Sequence, residues 1–216
     1  MAITYPRTLP GCVRLATLTL VDNVVGSPSA GGKTINLSQV NDPVWRLSLS
    51  TAIMQERDAA EWIAWKNSLR GGLRSFVASD SRRKAPLAYP TATAPADVSS
   101  GWGGTATVTS VGASGALGLS GLPTTYQFKA GDRIGLEQGS PLRRGYYEVL
   151  EDVTASGGAA TVTVAPFLHA GIFTTSATAR IWRPTCELVI DWQSWTEAEG
   201  DIPTFASISF EAWQKI

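Results

Sequence analysis

Residues that could do chemistry are few, and each can be weighed against what its reaction needs. Ser27-Pro-Ser-Ala-Gly-Gly32-Lys33-Thr34 resembles a phosphate-binding loop. That motif needs a glycine five positions before the second one, and position 27 is Ser. It also needs a helix to follow, so that backbone N–H groups aim at phosphate. Ile35-Asn-Leu-Ser-Gln-Val reads instead as a strand, so a hairpin tip with a solvated Lys33 is expected. A Ser-His-Asp or Cys-His centre would have to use His169, the one histidine. No serine sits in a Gly-x-Ser-x-Gly elbow, and a loop histidine is expected. Cys12 and Cys186 are too few for a disulfide scaffold or a cysteine zinc site, and one histidine excludes a His-rich metal centre. Two free thiols are expected. No catalytic, cofactor-binding or metal-ligating residue is assigned, and no cofactor.

Paired carboxylates remain. Glu148 with Glu151 or Asp152, and the group Glu197, Glu199 and Asp201, could serve glycoside hydrolysis. If Glu148 and Asp152 share one strand face they stand about 13 Å apart, too far for an inverting pair. The 197–201 acids fall in an expected turn beside Trp192 and Trp195, and such a mix of acids and aromatics could hold a sugar. Of the eight tryptophans, Trp45, Trp62 and Trp65 fall on apolar faces and are expected in the core. Trp192 and Trp195 have an odd spacing and cannot share a strand face. At least one is therefore expected at the surface or an interface.

The elements that would position these groups are mostly strands. Gly (21) and Pro (12) are frequent, and Ser and Thr together number 42, in a chain of 216 residues. Leu15–Val25, Thr34–Val40 and Val44–Ser50 alternate apolar with polar side chains, which makes an antiparallel meander with a long first hairpin and a break at Asn41-Asp-Pro43. Gln55–Arg70 is the one clear helix. Ala59, Trp62, Trp65 and Leu69 lie on one face, acid loads its start and base its end, and Gly71-Gly72 stops it. Its Trp62, Trp65 and Leu69 face is expected to pack on the sheet. Leu73–Ala78 resumes as a strand. Residues 79–100, which include the basic run Arg82-Arg83-Lys84, read as a boundary with little packed structure.

From Thr105 a second β region begins, with strands at Thr105–Val111, Ala116–Leu119, Asp132–Leu136, Gly145–Asp152, Ala159–Ala165 and Ala179–Trp182. That spacing suggests a small barrel of the OB or SH3 kind. The last strands, Glu187–Trp192 and Ala206–Trp213, cannot build a core alone and must join the first meander. The expected fold is therefore mainly β. One domain is discontinuous (1–85 with 184–216, helix 55–70 on its flank), and a barrel at 86–183 is inserted into it.

Charge follows the same division. Lys+Arg and Asp+Glu both number 18, which disfavours a uniformly basic nucleic-acid binder. Residues 1–84 nevertheless carry 11 basic and 6 acidic side chains, 85–183 carry 6 and 6, and 184–216 carry 1 and 6. Opposite charge at the two ends suggests that they meet, within a chain or between subunits. No apolar run is long enough for a membrane helix, and no secretory signal is visible.

Order and spacing of several segments are similar to the distal tail proteins of long-tailed bacteriophages. They are Val44-Trp-Arg-Leu-Ser-Leu-Ser50, Glu61-Trp-Ile-Ala-Trp-Lys-Asn-Ser-Leu-Arg-Gly-Gly72, Leu73-Arg-Ser-Phe76, Asp80-Ser-Arg-Arg83, Pro86-Leu-Ala-Tyr-Pro90, Gly121-Leu-Pro123, Phe128-Lys-Ala-Gly-Asp-Arg-Ile-Gly-Leu136, Tyr147-Glu-Val-Leu-Glu-Asp-Val153 and Ala160-Thr-Val-Thr-Val-Ala-Pro166. The resemblance implies a tail-tube-like β-sandwich with one flanking helix, some members carrying an inserted barrel. It implies a hexameric ring in the virion, assembled in the host cytoplasm. Its partners would be the tail tube protein and the tail-tip hub protein, with DNA passing only transiently through the lumen and no membrane contact. Candidate subunit-interface residues are Leu18, Leu20, Ile35, Leu37, Arg82, Arg83, Trp192 and Trp195. A carbohydrate-binding or glycan-cleaving tail component, using exposed Trp and the 197–201 acids, is the alternative.

Overall fold

The computed structural model describes residues 3–28, 35–112, 114–168, 171–199 and 205–215. Its first half contains β1 (Arg7–Thr8), β2 (Val13–Pro28), β3 (Ile35–Thr51), β4 (Met54–Gln55), α1 (Glu56–Ser68) and β5 (Phe76–Ala78). A short α2 (Pro95–Val98) precedes β6 (Thr105–Val111), β7 (Ala116–Ser120), β8 (Gln127–Phe128), β9 (Arg133–Gln138), β10 (Arg143–Val149), β11 (Val153–Thr154), β12 (Ala159–Ala165) and β13 (Thr178–Arg180). The chain ends in β14 (Cys186–Glu199) and β15 (Phe205–Gln214). The fold is mainly β, with several sheets and one flanking helix.

The two chain ends share one sheet, in the order β1-β5-β14-β15-β3-β2, with β4 pairing the end of β15. Alternation explains which side is buried. Trp45, Leu47 and Leu49 of β3 point inwards and stand opposite Leu20, Leu18 and Ala16 of β2, while Ala212 and Phe210 of β15 face Leu47 and Leu49 from the other side. The opposite face carries Thr17, Thr19, Ser48, Ser209 and an Arg46–Glu211 ion pair, and is open. The second layer of the sandwich is not another sheet among the described residues. It is α1 at one end of the buried face and the barrel at the other.

Helix α1 buries Ala59, Trp62 and Trp65, and Leu69 follows directly after it. The Trp65 ring lies 5.0 Å from Phe76 and 5.9 Å from Phe210, and Trp62 lies 5.5 Å from Trp65. Their indole N–H groups are not stranded in this apolar layer. Trp62 Nε1 donates to the Gly11 carbonyl (3.0 Å) and Trp65 Nε1 to that of Thr8 (2.8 Å), which ties the N-terminal segment across the helix. The helix is shorter at both ends than its periodicity suggests, because Gln55 pairs in β4 and the chain turns left-handed from Arg70 (φ 50°) through Gly71 (φ 65°).

Strands β10-β12-β7-β6-β13-β9 close into a barrel. It has six strands, one more than an OB barrel. Val108, Leu117, Leu119, Ile134, Leu136, Val149, Val162 and Val164 fill it. Adjacent residues of β10 serve different interiors: Tyr147 points into the barrel and Tyr146 into the core of the sheet. Tyr146 meets Trp45 edge-on at 5.1 Å and accepts the Trp45 indole N–H on its carbonyl at 2.6 Å. The Arg133 guanidinium lies 4.6 Å over Trp45 and pairs with Glu148 at 2.8 Å.

Two sequence expectations change here. Asn41-Asp-Pro43 does not end a strand. The β2–β3 register shifts between Val21 and Asn23 and again before Val24, and Pro43 falls where Val21↔Val44 gives way to Asn23↔Asn41. A bulge tolerates a residue without an N–H, so β3 runs on. Residues 79–100 are not a loose linker either. Asp80 is buried and accepts the N–H groups of Leu18 (3.3 Å) and Arg82 (2.8 Å). Asp132, buried on the barrel, accepts those of Leu87 (2.7 Å) and Lys129 (2.8 Å). Tyr89 and Trp102 then pack on Tyr126 of the barrel, at 5.3 and 5.2 Å. Buried carboxylates and rings hold this segment, and neither leaves a periodic trace in sequence.

Candidate subunit interface

The phosphate-loop residues Lys33 and Thr34 lie outside the described residues, as does His169. Ile35, the next described residue, opens a strand and not a helix. The carboxylates do not converge. Glu148 is engaged by Arg133, while Asp152 accepts from Lys129 Nζ (2.7 Å) and the Ala130 N–H (2.9 Å). Those contacts hold the Asp152 carboxyl below the usual carboxylate range. The expectation that Glu148 and Asp152 share a strand is corrected, since β10 ends at Val149. Glu151 accepts from the Thr163 hydroxyl at 2.6 Å.

The turn expected over 197–201 is corrected as far as Glu199. Thr196–Glu199 is strand, paired with Ala206–Ser209, and Glu197 accepts the Trp195 indole N–H at 2.6 Å. Asp201 and the Glu199 side chain lie outside the described residues. Among those described, no three His, Cys, Asp or Glu side chains gather as metal ligands would. Cys12 is exposed and Cys186 buried, both free, and burial pushes the Cys186 thiol far up.

The eight interface candidates do not share one surface. Leu18 is corrected outright. At 0% exposure it is sheet core, because its alternation marks a face that α1 and the barrel already cover. Leu20 is half-buried against the same core. Arg82 is exposed but leans back on Asp80 (3.4 Å), and Arg83 lies near Asp132. Trp195 is corrected in part: its ring stacks on Phe210 at 5.3 Å, with Lys66 Nζ 4.6 Å above it. A register shift between Asp191 and Thr196 lets Trp195 turn inwards. There Ser194 Oγ donates to the Asp191 carbonyl (2.6 Å) and accepts the Glu211 N–H (2.8 Å), replacing ladder bonds. Trp192 stays out, 58% exposed.

Ile35 and Leu37 remain, and both stand exposed. Beyond Val44 the β2–β3 ribbon leaves the sheet and continues as a two-stranded arm, paired from Asn23↔Asn41 to Pro28↔Ile35. Ile35 is 68%, Leu37 71% and Val40 69% exposed, and Val24 and Val25 are exposed too. Leu37 and Ile35 lie across Gly26, where an added Cβ would stand 3.2 Å from the Leu37 side chain and 3.5 Å from that of Ile35. A two-stranded ribbon is marginal in water on its own, and an apolar one with free edges invites pairing. Sequence reasoning missed Val24 beside Ile35 and Leu37, and Val25 and Val40 as further exposed apolar side chains of the arm, although they sit in the same predicted hairpin.

With that geometry in hand, the chain defines a class by its architecture: a mainly-β protein with a helix-flanked sheet, an attached six-stranded barrel and a projecting arm. No protein-family model matches the chain, and no curated protein is similar to it. No helix among the described residues is long and apolar enough to cross a membrane.

Proposed function

We propose that this chain is a structural virion protein, a subunit of a hexameric ring at the distal end of a phage tail. The ring would join the tail tube protein to the tail-tip hub protein and leave a lumen through which DNA passes. The arm is the observation that carries this reading. A body with an extended ribbon whose exposed side chains include Ile35, Leu37, Val24, Val25 and Val40 is built for assembly, because those side chains and the ribbon's free edges need cover that the described residues do not supply. Closing a ring of such ribbons removes every free edge, and each contact is head-to-tail, one surface against a different one. The open sheet face carries hydroxyls, the Arg46–Glu211 pair and Asp191 opposite Glu211, and gathers no surplus of cations. Such a surface holds DNA weakly, which suits passage. Electron microscopy of the purified protein tests the reading. Ring particles with six-fold symmetry are expected, and single 22.9 kDa bodies in every field would sink it.

A second reading rests on Trp192, whose ring is free to stack on a sugar. A glycan array with the parent protein and Trp192→Ala tests it, with binding lost in the variant as the expected result. Of the 197–201 acids that the cleaving version of that reading would use, Glu197 accepts the Trp195 indole N–H.

A further inference from the structure

The arm's apolar side does not stop where the arm begins. On β3, Ile35, Leu37 and Gln39 share one face, and their β2 partners are Pro28, Gly26 and Val24. Val24 and Gln39 also line a groove of about 370 Å³ in the angle between arm and barrel. Its barrel wall includes Leu150, Thr163, Pro166 and Phe167, and Leu20 and Pro43 line it at the root of the arm. Leu150 and Phe167 are each more than half exposed. Large apolar side chains without cover, on two elements that meet at an angle, form one continuous concave surface.

We infer that this angle receives the arm of a second copy of the chain, so that the barrel is part of the subunit contact. The inference rests on the ring reading above and adds the surface that the arm meets. Three observations select a second copy. The paired strand residues 23–28 and 35–41 of the arm carry no charge, and the groove's lining has one charged side chain, Asp22, so the groove suits a neutral strand better than a strongly acidic or basic partner. The arm is the right kind of occupant, because it is an extended apolar ribbon and the groove is open and lined largely by apolar side chains. Lastly, the arm cannot fill its own groove. Its strands stay hydrogen-bonded to Pro28↔Ile35, so Ile35 lies about 13 Å along the strand from Gln39. The Ile35–Leu37 part of the arm can therefore meet such a groove only on another copy, and the contact is head-to-tail as a closed ring requires.

Cross-linking tests this with single-cysteine copies in a Cys12→Ser background, where the remaining native thiol, Cys186, is buried. Leu37→Cys and Phe167→Cys are placed on separately tagged chains, co-expressed, and treated with a short bis-maleimide. A covalent dimer carrying both tags is expected, with neither variant dimerising alone. Phe167→Ser should weaken subunit association by about tenfold or more, while at dilutions where neither protein assembles its circular dichroism melt matches the parent's. Light scattering on the same samples separates the two ways of failing. A particle of single-chain mass overturns the ring reading and this inference with it. An oligomer in which Leu37→Cys chains couple only to each other, or in which Phe167→Ser assembles like the parent, overturns this inference and leaves the ring standing.

Discussion

The two halves of the β2–β3 ribbon have the same strands, the same antiparallel pairing and similar alternation, yet opposite fates. In the inner half Trp45, Leu47, Leu49, Ala16 and Leu18 are buried under α1 and the barrel. In the outer half Ile35, Leu37, Val40, Val24 and Val25 face outwards uncovered. The difference lies in what sits opposite. Alternation specifies a face; a partner element decides whether that face is core or interface. A leucine such as Leu18 and a leucine such as Leu37 are therefore indistinguishable until the covering layer is known.

Substitutions can break this comparison from either side. The largest effect is expected where the cover is removed from the inner half. Trp65→Ala takes away the ring between Phe76 and Phe210 and should cost about 3–5 kcal/mol. In a domain of this size that lowers the thermal midpoint by on the order of 10 °C. A circular dichroism melt reads it, and an unchanged midpoint would mean that α1 is not the inner half's cover. Next comes Asp80→Ala, which strands the Leu18 and Arg82 N–H groups in a buried place and should cost about 1–3 kcal/mol in urea unfolding.

The outer half should behave in the opposite way. Leu37→Asp is expected to change the stability of the single chain by no more than about 0.5 kcal/mol. The same variant should abolish assembly, because a charge would enter an apolar contact between copies. If it unfolds the chain instead, the arm is a piece of the core and the contrast fails.

The smallest expected effect concerns the segment that ties sheet to barrel. Burial holds the Asp132 carboxyl above the usual carboxylate range, against the hydrogen bonds from Leu87 and Lys129. Its folded pKa is then above its unfolded one, so the folded state binds the extra proton. Stability from this group is greatest below the ordinary carboxylate pKa and falls as pH rises to the folded value. Asp132→Asn should flatten that part of the profile, as read by urea unfolding between pH 3 and 6.

How much was legible follows from the same lesson. Strong local periodicity carried the strand around Trp45–Leu49, the helix with Trp62 and Trp65, and the barrel strands at Thr105–Val111 and Ala159–Ala165. Two-residue strands such as β8 and β11 are too short to show a period. The bulges that carry β3 through Pro43 and turn Trp195 inwards depend on register, which lies between strands and not within one. Asp80 and Asp132 anchor the 79–100 segment through backbone N–H groups, and any loop sequence offers those. The arm was legible as a long hairpin, but the groove at its root needed the barrel in place beside it.

The central claim is that the outer half of the ribbon is covered by other copies of the chain. Size-exclusion chromatography with light scattering measures that most directly. The account predicts a particle of six times the 22.9 kDa chain mass, reduced to the single-chain mass by Leu37→Asp with the fold intact. A parent protein that stays at 22.9 kDa at every concentration reached would contradict it.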